Sequence, residues 1–290
     1  MQTPPLVPAV SGERVAAGGV SCYVAGVGPP LLLLHSVNAA ASAAEVKPLY
    51  EHYRATRTVF APDLPGYGFS QRGDRPYSPR LMTDALHGVA QQIRQRCGPA
   101  PIDALAVSLG CEFLVRAASE QPAQWGRLAL VSPTGLMGKR PRRGPPGSTR
   151  ALPWLFKALA YPLWAQALFD SLTRPDVVRY FLRRTWGGPA IDAEMAEYAI
   201  LTARQPGARF APLHFLSAGL FSADIHDVYE AVRSPVWASH GVRGDFTDYR
   251  GLPLLKPQPP WRVTVFQTGA LPYFEVPEVF RAEFDAFLAT

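Results

Sequence analysis

Short, continuously apolar runs alternate with amphipathic stretches through the first 131 residues. Two β-rich runs, near 13–17 and 20–25, flank the pair Gly18-Gly19, which suits a hairpin turn because glycine adopts positive φ without strain. Residues 31–35 are apolar up to His35 and follow Gly-Pro-Pro, the pattern of a strand buried on both faces in a parallel sheet. A second such run at 58–61 ends in the turn-rich stretch 62–68. Leu81, Ala85, Leu86, Val89 and Ile93 recur at helical spacing and predict a helix over 79–97. A strand at 102–107, a helix at 111–120 and a strand at 128–131 follow.

From 132 to about 234 the pattern changes. Tryptophans, leucines and prolines recur at helical spacing with no convincing strand. Alternation resumes with strands at 235–240 and 261–266, and 277–289 reads as a last amphipathic helix. Strand–helix alternation implies right-handed crossovers, so the predicted fold is α/β, a mostly parallel β-sheet flanked by helices. Its core spans 1–132 and 235–290, and an inserted helical cap spans 133–234. The cap is expected over the carboxyl ends of the strands, where open α/β sheets place ligands.

The 290 residues are 48% apolar and only 18% charged, which suffices for a sizeable core and excludes global disorder. Cys22, Cys97 and Cys111 are an odd set without metal-ligand spacing, read as free thiols in a reducing compartment. The opening Met-Gln-Thr-Pro-Pro-Leu carries no basic segment followed by an apolar run, so no secretory signal is expected. Pro153, Lys157, Pro162 and Gln166 interrupt 151–169, the longest apolar stretch, and argue against a membrane-spanning helix. A soluble cytoplasmic protein is the expectation.

The formal charge of +6 is partly local, with Lys139, Arg140, Arg142, Arg143 and Arg150 crowded among prolines and glycines. Neither aromatics nor a helix interleave them, so no nucleic-acid partner is expected. A solvated loop, an anionic substrate or an anionic membrane surface touched by 139–169 remain open. No phosphate loop, dinucleotide fingerprint or metal cluster occurs, so no cofactor and no metal is expected.

Five segments carry chemistry in order: Leu-Leu-Leu-Leu-His-Ser-Val-Asn (31–38), Asp-Leu-Pro-Gly-Tyr-Gly-Phe-Ser (63–70), Ala-Val-Ser-Leu-Gly (106–110), Pro-Val-Trp-Ala-Ser-His-Gly (235–241) and Gly-Ala-Leu-Pro-Tyr-Phe-Glu-Val-Pro (269–277). Together they resemble the α/β-hydrolase family, over nearly all of the chain outside the cap. The resemblance implies a serine nucleophile, Ser108, at a strained strand-to-helix turn whose neighbours Ala106 and Gly110 must be small. It implies an oxyanion hole from the backbone N–H of Leu109 with that of Val37 or Ser36, and an acid at Asp245, with Asp248 close behind. Asn38 is placed to hydrogen-bond a substrate.

The family's histidine would fall at 270, where this chain has Ala270, and no histidine follows His240. Four explanations are open: an imidazole from elsewhere (His214, His226 or His35), chemistry that needs no base, a silent binding protein, or an introduced substitution. Tyr273 offers a phenol near the vacant position. Cap aromatics, Trp164 and Phe215 among them, are expected to line an apolar pocket above Ser108 for a hydrophobic small molecule. Three functions follow: a serine hydrolase on an apolar ester or thioester, a lyase, isomerase or cyclase, and a catalytically silent carrier or membrane-surface protein.

Overall fold

The structure, a computed structural model, describes residues 4–290. The first three residues, part of the segment where no secretory signal is expected, lie outside the described residues. Gly18 and Gly19, at φ 59° and 81°, turn the chain between β1 (Glu13–Ala17) and β2 (Val20–Ala25), which pair antiparallel. Then come β3 (Pro30–Leu34), β4 (Thr58–Asp63), β5 (Ile102–Val107), β6 (Trp125–Val131), β7 (Val236–Gly241) and β8 (Arg262–Phe266). They form one eight-stranded sheet in the order β1-β2-β4-β3-β5-β6-β7-β8. Only the β1–β2 and β2–β4 pairs are antiparallel.

The continuous apolar runs are explained by the two covered faces. Leu32, Leu34, Phe60, Ala104 and Leu130 face α2 (Pro79–Cys97) and α3 (Gly110–Glu120) after α1 (Lys47–Tyr53), which lies on the other side. On that other side Leu31, Leu33, Val59, Leu105 and Trp237 join Leu49 and Tyr53 of α1. Successive strand residues point to opposite faces, so a strand buried on both must be apolar throughout.

Between β6 and β7 lie α4 (Pro153–Leu159), α5 (Ala165–Leu172), α6 (Pro175–Trp186), α7 (Ala193–Ala203), α8 (Phe210–Leu216) and α9 (Ile225–Ala231). The first five are the inserted helices. The sixth, α9, packs on α3 through Ile225, Val228 and Tyr229 and leads into β7. Beyond β8, α10 (Pro272–Glu275) leads into α11 (Pro277–Leu288), whose Phe280, Phe284 and Phe287 pack around Trp237. Among the described residues no helix is long and apolar enough to cross a membrane.

Candidate active site

Ser108 occupies the tight turn between β5 and α3 at φ 52°, a left-handed conformation that costs any non-glycine residue about 1–2 kcal/mol. Its N–H donates to the Val131 carbonyl at 2.8 Å and the Cys111 N–H returns to its carbonyl at 3.1 Å, which hold the turn. A Cβ at Gly110 would lie 2.5 Å from the His35 carbonyl, so only glycine lets the turn approach the β3 end. Ser108 opens on a cavity of about 130 Å³ walled by Val37, Leu182, Trp186, Met195, Phe215 and Ala270. Cys111, just beyond, is fully buried with its sulfur 3.2 Å from the Ala106 carbonyl; burial pushes its thiol pKa well up, so it is no second nucleophile.

The loop after β3 forms the opposite wall. The N–H groups of Leu109 and Val37 meet no acceptor among the described residues, and both residues line the cavity. Ser36 does not qualify as a donor: its N–H is taken by Glu45 Oε2 at 2.8 Å, although the residue lines the cavity. Asn38 also lines it, but its amide is committed locally, donating to Glu45 Oε1 at 2.8 Å and accepting from the Ala40 N–H at 2.7 Å.

Glu45 itself, within a short 3-10 turn at Ala43–Val46, is buried, lines the cavity and has no ion-pair partner among the described residues. Burial raises its carboxyl pKa above the ordinary value, against the hydrogen bonds from Ser36 and Asn38. The spacing Ser42-Ala-Ala-Glu45 reads as a helix-start signal, and Ser42 Oγ does accept from the Ala44 N–H. The clue to another role is a lone carboxylate in an alanine-rich apolar run.

No imidazole stands beside Ser108. His35 is fully buried, its Nδ1–H donating to the Ser36 carbonyl at 2.5 Å and its Nε2 accepting the Leu64 N–H at 2.9 Å, so both nitrogens are used. Burial lowers its pKa to about 4 and keeps it neutral. His214 stacks on Phe156 at 4.1 Å, and His226 Nδ1 accepts from the Arg142 N–H at 3.0 Å. His240 stacks on Tyr249 at 3.9 Å, and His87 pairs with Glu120. None of these, nor His52 beside Tyr53, lines the cavity.

At the place expected for the base, Ala270 puts a methyl group into the cavity, its N–H donating to the Thr185 carbonyl at 2.9 Å. Ser132, at φ 49°, donates to the Ala270 carbonyl at 2.7 Å and ties the end of β6 to this loop. Asp245 is turned away: its carboxylate takes a two-pronged bond from Arg184 of α6 at 2.5 and 2.7 Å and does not line the cavity. One residue earlier, Gly244 sits at φ 85° against the Arg184 carbonyl, which leaves no space for a side chain. Asp248 pairs with Arg250 and accepts from the Gly138 N–H, also outside the cavity.

Comparison with known proteins decides the ancestry. Residues 29–187, more than half of the chain, match the family described as the alpha/beta hydrolase fold. The chain belongs to the α/β-hydrolase fold family. No curated protein sequence matches it. Among solved structures it is similar to E-2-(acetamidomethylene)succinate hydrolase, 18% identical over 97% of this chain and 99% of that one, with a TM-score of 0.66. It is similar to 2-hydroxy-6-oxo-6-phenylhexa-2,4-dienoate hydrolase from Rhodococcus, 17% identical over 96% and 98% of the two chains, TM-score 0.71. A membrane phospholipase A described as a bacterial virulence factor is 19% identical over 96% of this chain and 86% of that one, TM-score 0.68. At these identities the likeness is one of fold.

Within this α/β-hydrolase frame two of the expected pocket residues lie elsewhere. Trp164 is on the outer surface of the cap, its indole N–H donating to the Ala158 carbonyl at 2.8 Å and its ring against Tyr161. Tyr273 is buried beneath the cavity, its hydroxyl donating to the Glu45 backbone carbonyl at 2.9 Å and its ring among Phe274 and Phe280. Phe215 does form part of the wall, against Phe221 at 5.5 Å.

Proposed function

We propose that the chain binds a compact, uncharged, carbonyl-bearing ligand in the Ser108 cavity and does not cleave esters through Ser108. The observation that carries this is the position of all six histidines away from Ser108, with Ala270 at the family's base position. A serine hydroxyl attacks only when a base removes its proton, and losing a triad member lowers the rate by several orders of magnitude. Asp245, bound to Arg184, has no imidazole to orient.

The free N–H groups of Leu109 and Val37, with the Ser108 hydroxyl, offer donors to one carbonyl oxygen. The lining holds no lysine, arginine or histidine, so an anionic ligand would be buried without a counter-charge, which is strongly unfavourable. Leu182, Trp186, Met195, Phe215, Phe221 and Leu271 give the cavity an apolar side that matches a hydrophobic ligand body.

The expected result is no Ser108-dependent turnover of an ester panel, together with saturable binding of small ketones or lactones. Ala270→Phe, which fills the cavity, should abolish that binding and leave the far-UV circular dichroism unchanged. Ester turnover that Ser108→Ala removes would contradict the proposal.

Glu45 favours a second reading. A buried carboxyl in the cavity wall, its pKa raised by burial, can transfer a proton beside a bound carbonyl, as a lyase or isomerase requires. In that case Glu45→Gln abolishes turnover of the ligand while Ser108→Ala retains it.

A further inference from the structure

We propose that the cap docks on an anionic membrane surface through the apolar segment 151–164. The segment is exposed to a degree that apolar sequence rarely tolerates. No residue of α4 is buried, and Leu163 is 83% and Trp154 69% exposed. Leu152, Tyr161 and Trp164 are exposed beside them. An apolar patch of this kind on a water-soluble surface marks an interaction site. Tryptophan and tyrosine at its rim are the side chains that settle at the boundary between lipid headgroups and acyl chains.

Charge selects the occupant. From 139 to 169 the chain carries Lys139, Arg140, Arg142, Arg143, Arg150 and Lys157 and no aspartate or glutamate. Arg143 is neutralised by Asp227 and Glu230, whereas Lys139, Arg140 and Lys157 are exposed and have no ion-pair partner among the described residues. A helix with apolar and cationic side chains and no anionic ones complements an anionic bilayer, not an acidic-and-basic protein surface.

The placement also connects the surface to the cavity. Phe156 of α4 stacks on His214 of α8 at 4.1 Å, and the Leu152 N–H donates to the Ser217 carbonyl at 2.9 Å. The next residue of α8, Phe215, lines the Ser108 cavity, so the docking helix lies one helix from the cavity wall. The proposal stands independently of what that cavity binds.

The test is flotation of the full chain with vesicles of phosphatidylcholine alone and of an equal mixture with phosphatidylglycerol. Binding is expected to the mixture, weakening as salt screens the charges. Lys157→Gln and Lys139→Gln should each weaken it about fivefold. The double variant Trp154→Ser/Leu163→Ser should weaken it at least about tenfold with unchanged circular dichroism, since both side chains are exposed. No flotation with either vesicle, or flotation untouched by the double variant, overturns the proposal. So does a dimer in sedimentation velocity that the double variant dissolves, because the patch would then be covered by a second copy of the chain.

Discussion

Ser108 holds a left-handed backbone that the rest of the turn enforces, through the bond to Val131 and the glycine at 110. Ser108→Gly should therefore stabilise the fold by about 1 kcal/mol in urea denaturation, and a neutral or destabilising result would show an unstrained turn. His35 gives a pH signature. Its folded pKa of about 4 lies below the usual 6.5, so between those values the unfolded chain binds a proton that the folded chain does not, and stability falls as pH falls. From pH 7 to pH 5 this contributes a loss of about 2 kcal/mol. Glu45, Asp63 and Glu112, buried with raised pKa, act in the opposite sense, losing stability as pH rises. The measurement is therefore the difference in pH slope between the native chain and His35→Gln, which should lack the His35 part. At this scale the sequence was legible where backbone geometry dictates residue type, as at Ser108 and Gly110. It was opaque where side-chain direction decides. Asp245 is close in sequence to the expected acid position, but the loop turns it to Arg184, and Asp245→Ala should leave ligand binding unchanged.

The helices and strands that pack on the sheet declare themselves by period, because burial on one or two faces fixes which positions are apolar. Helix 79–97 and strands 102–107 and 20–25 lie where the pattern puts them. The short α1 escaped because Lys-Pro-Leu-Tyr-Glu-His-Tyr spans barely two turns, too few for a period to show. Between β6 and β7, tryptophans and prolines at helical spacing announced helices without separating them, and the packing of α9 on α3 was not visible in the pattern. A buried pair ties α3 to α9 and to the basic loop: Arg116 of α3 binds both oxygens of Asp224, at the start of α9, and Asp224 also accepts the Gly147 N–H of the basic loop at 2.7 Å. Arg116→Met leaves that carboxylate buried and unpaired and should cost about 3–5 kcal/mol in urea denaturation, with the loop 142–150 losing hydrogen-exchange protection. A loss within experimental error would show that the pair does not anchor the loop.

Taken whole, the molecule is an eight-stranded sheet with both faces covered and an inserted group of helices over the strand ends. The strained Ser108 turn and two N–H groups with no acceptor among the described residues stand there, and no histidine lines the cavity. The same helices offer water an apolar, cationic surface one helix away from the cavity, the surface proposed to dock on an anionic membrane. The fold was legible because order and spacing of five short motifs are a whole-chain property. The chemistry was not, because it depends on which side chains converge on one small cavity. The most direct measurement is intact-mass detection of fluorophosphonate labelling on the native chain, on Ser108→Ala and on Ala270→His. The native chain and Ser108→Ala should stay unlabelled, and Ala270→His should label slowly at most, since Asp245 remains held by Arg184. Rapid labelling of the native chain that Ser108→Ala abolishes would show an activated serine and contradict a cavity that only binds.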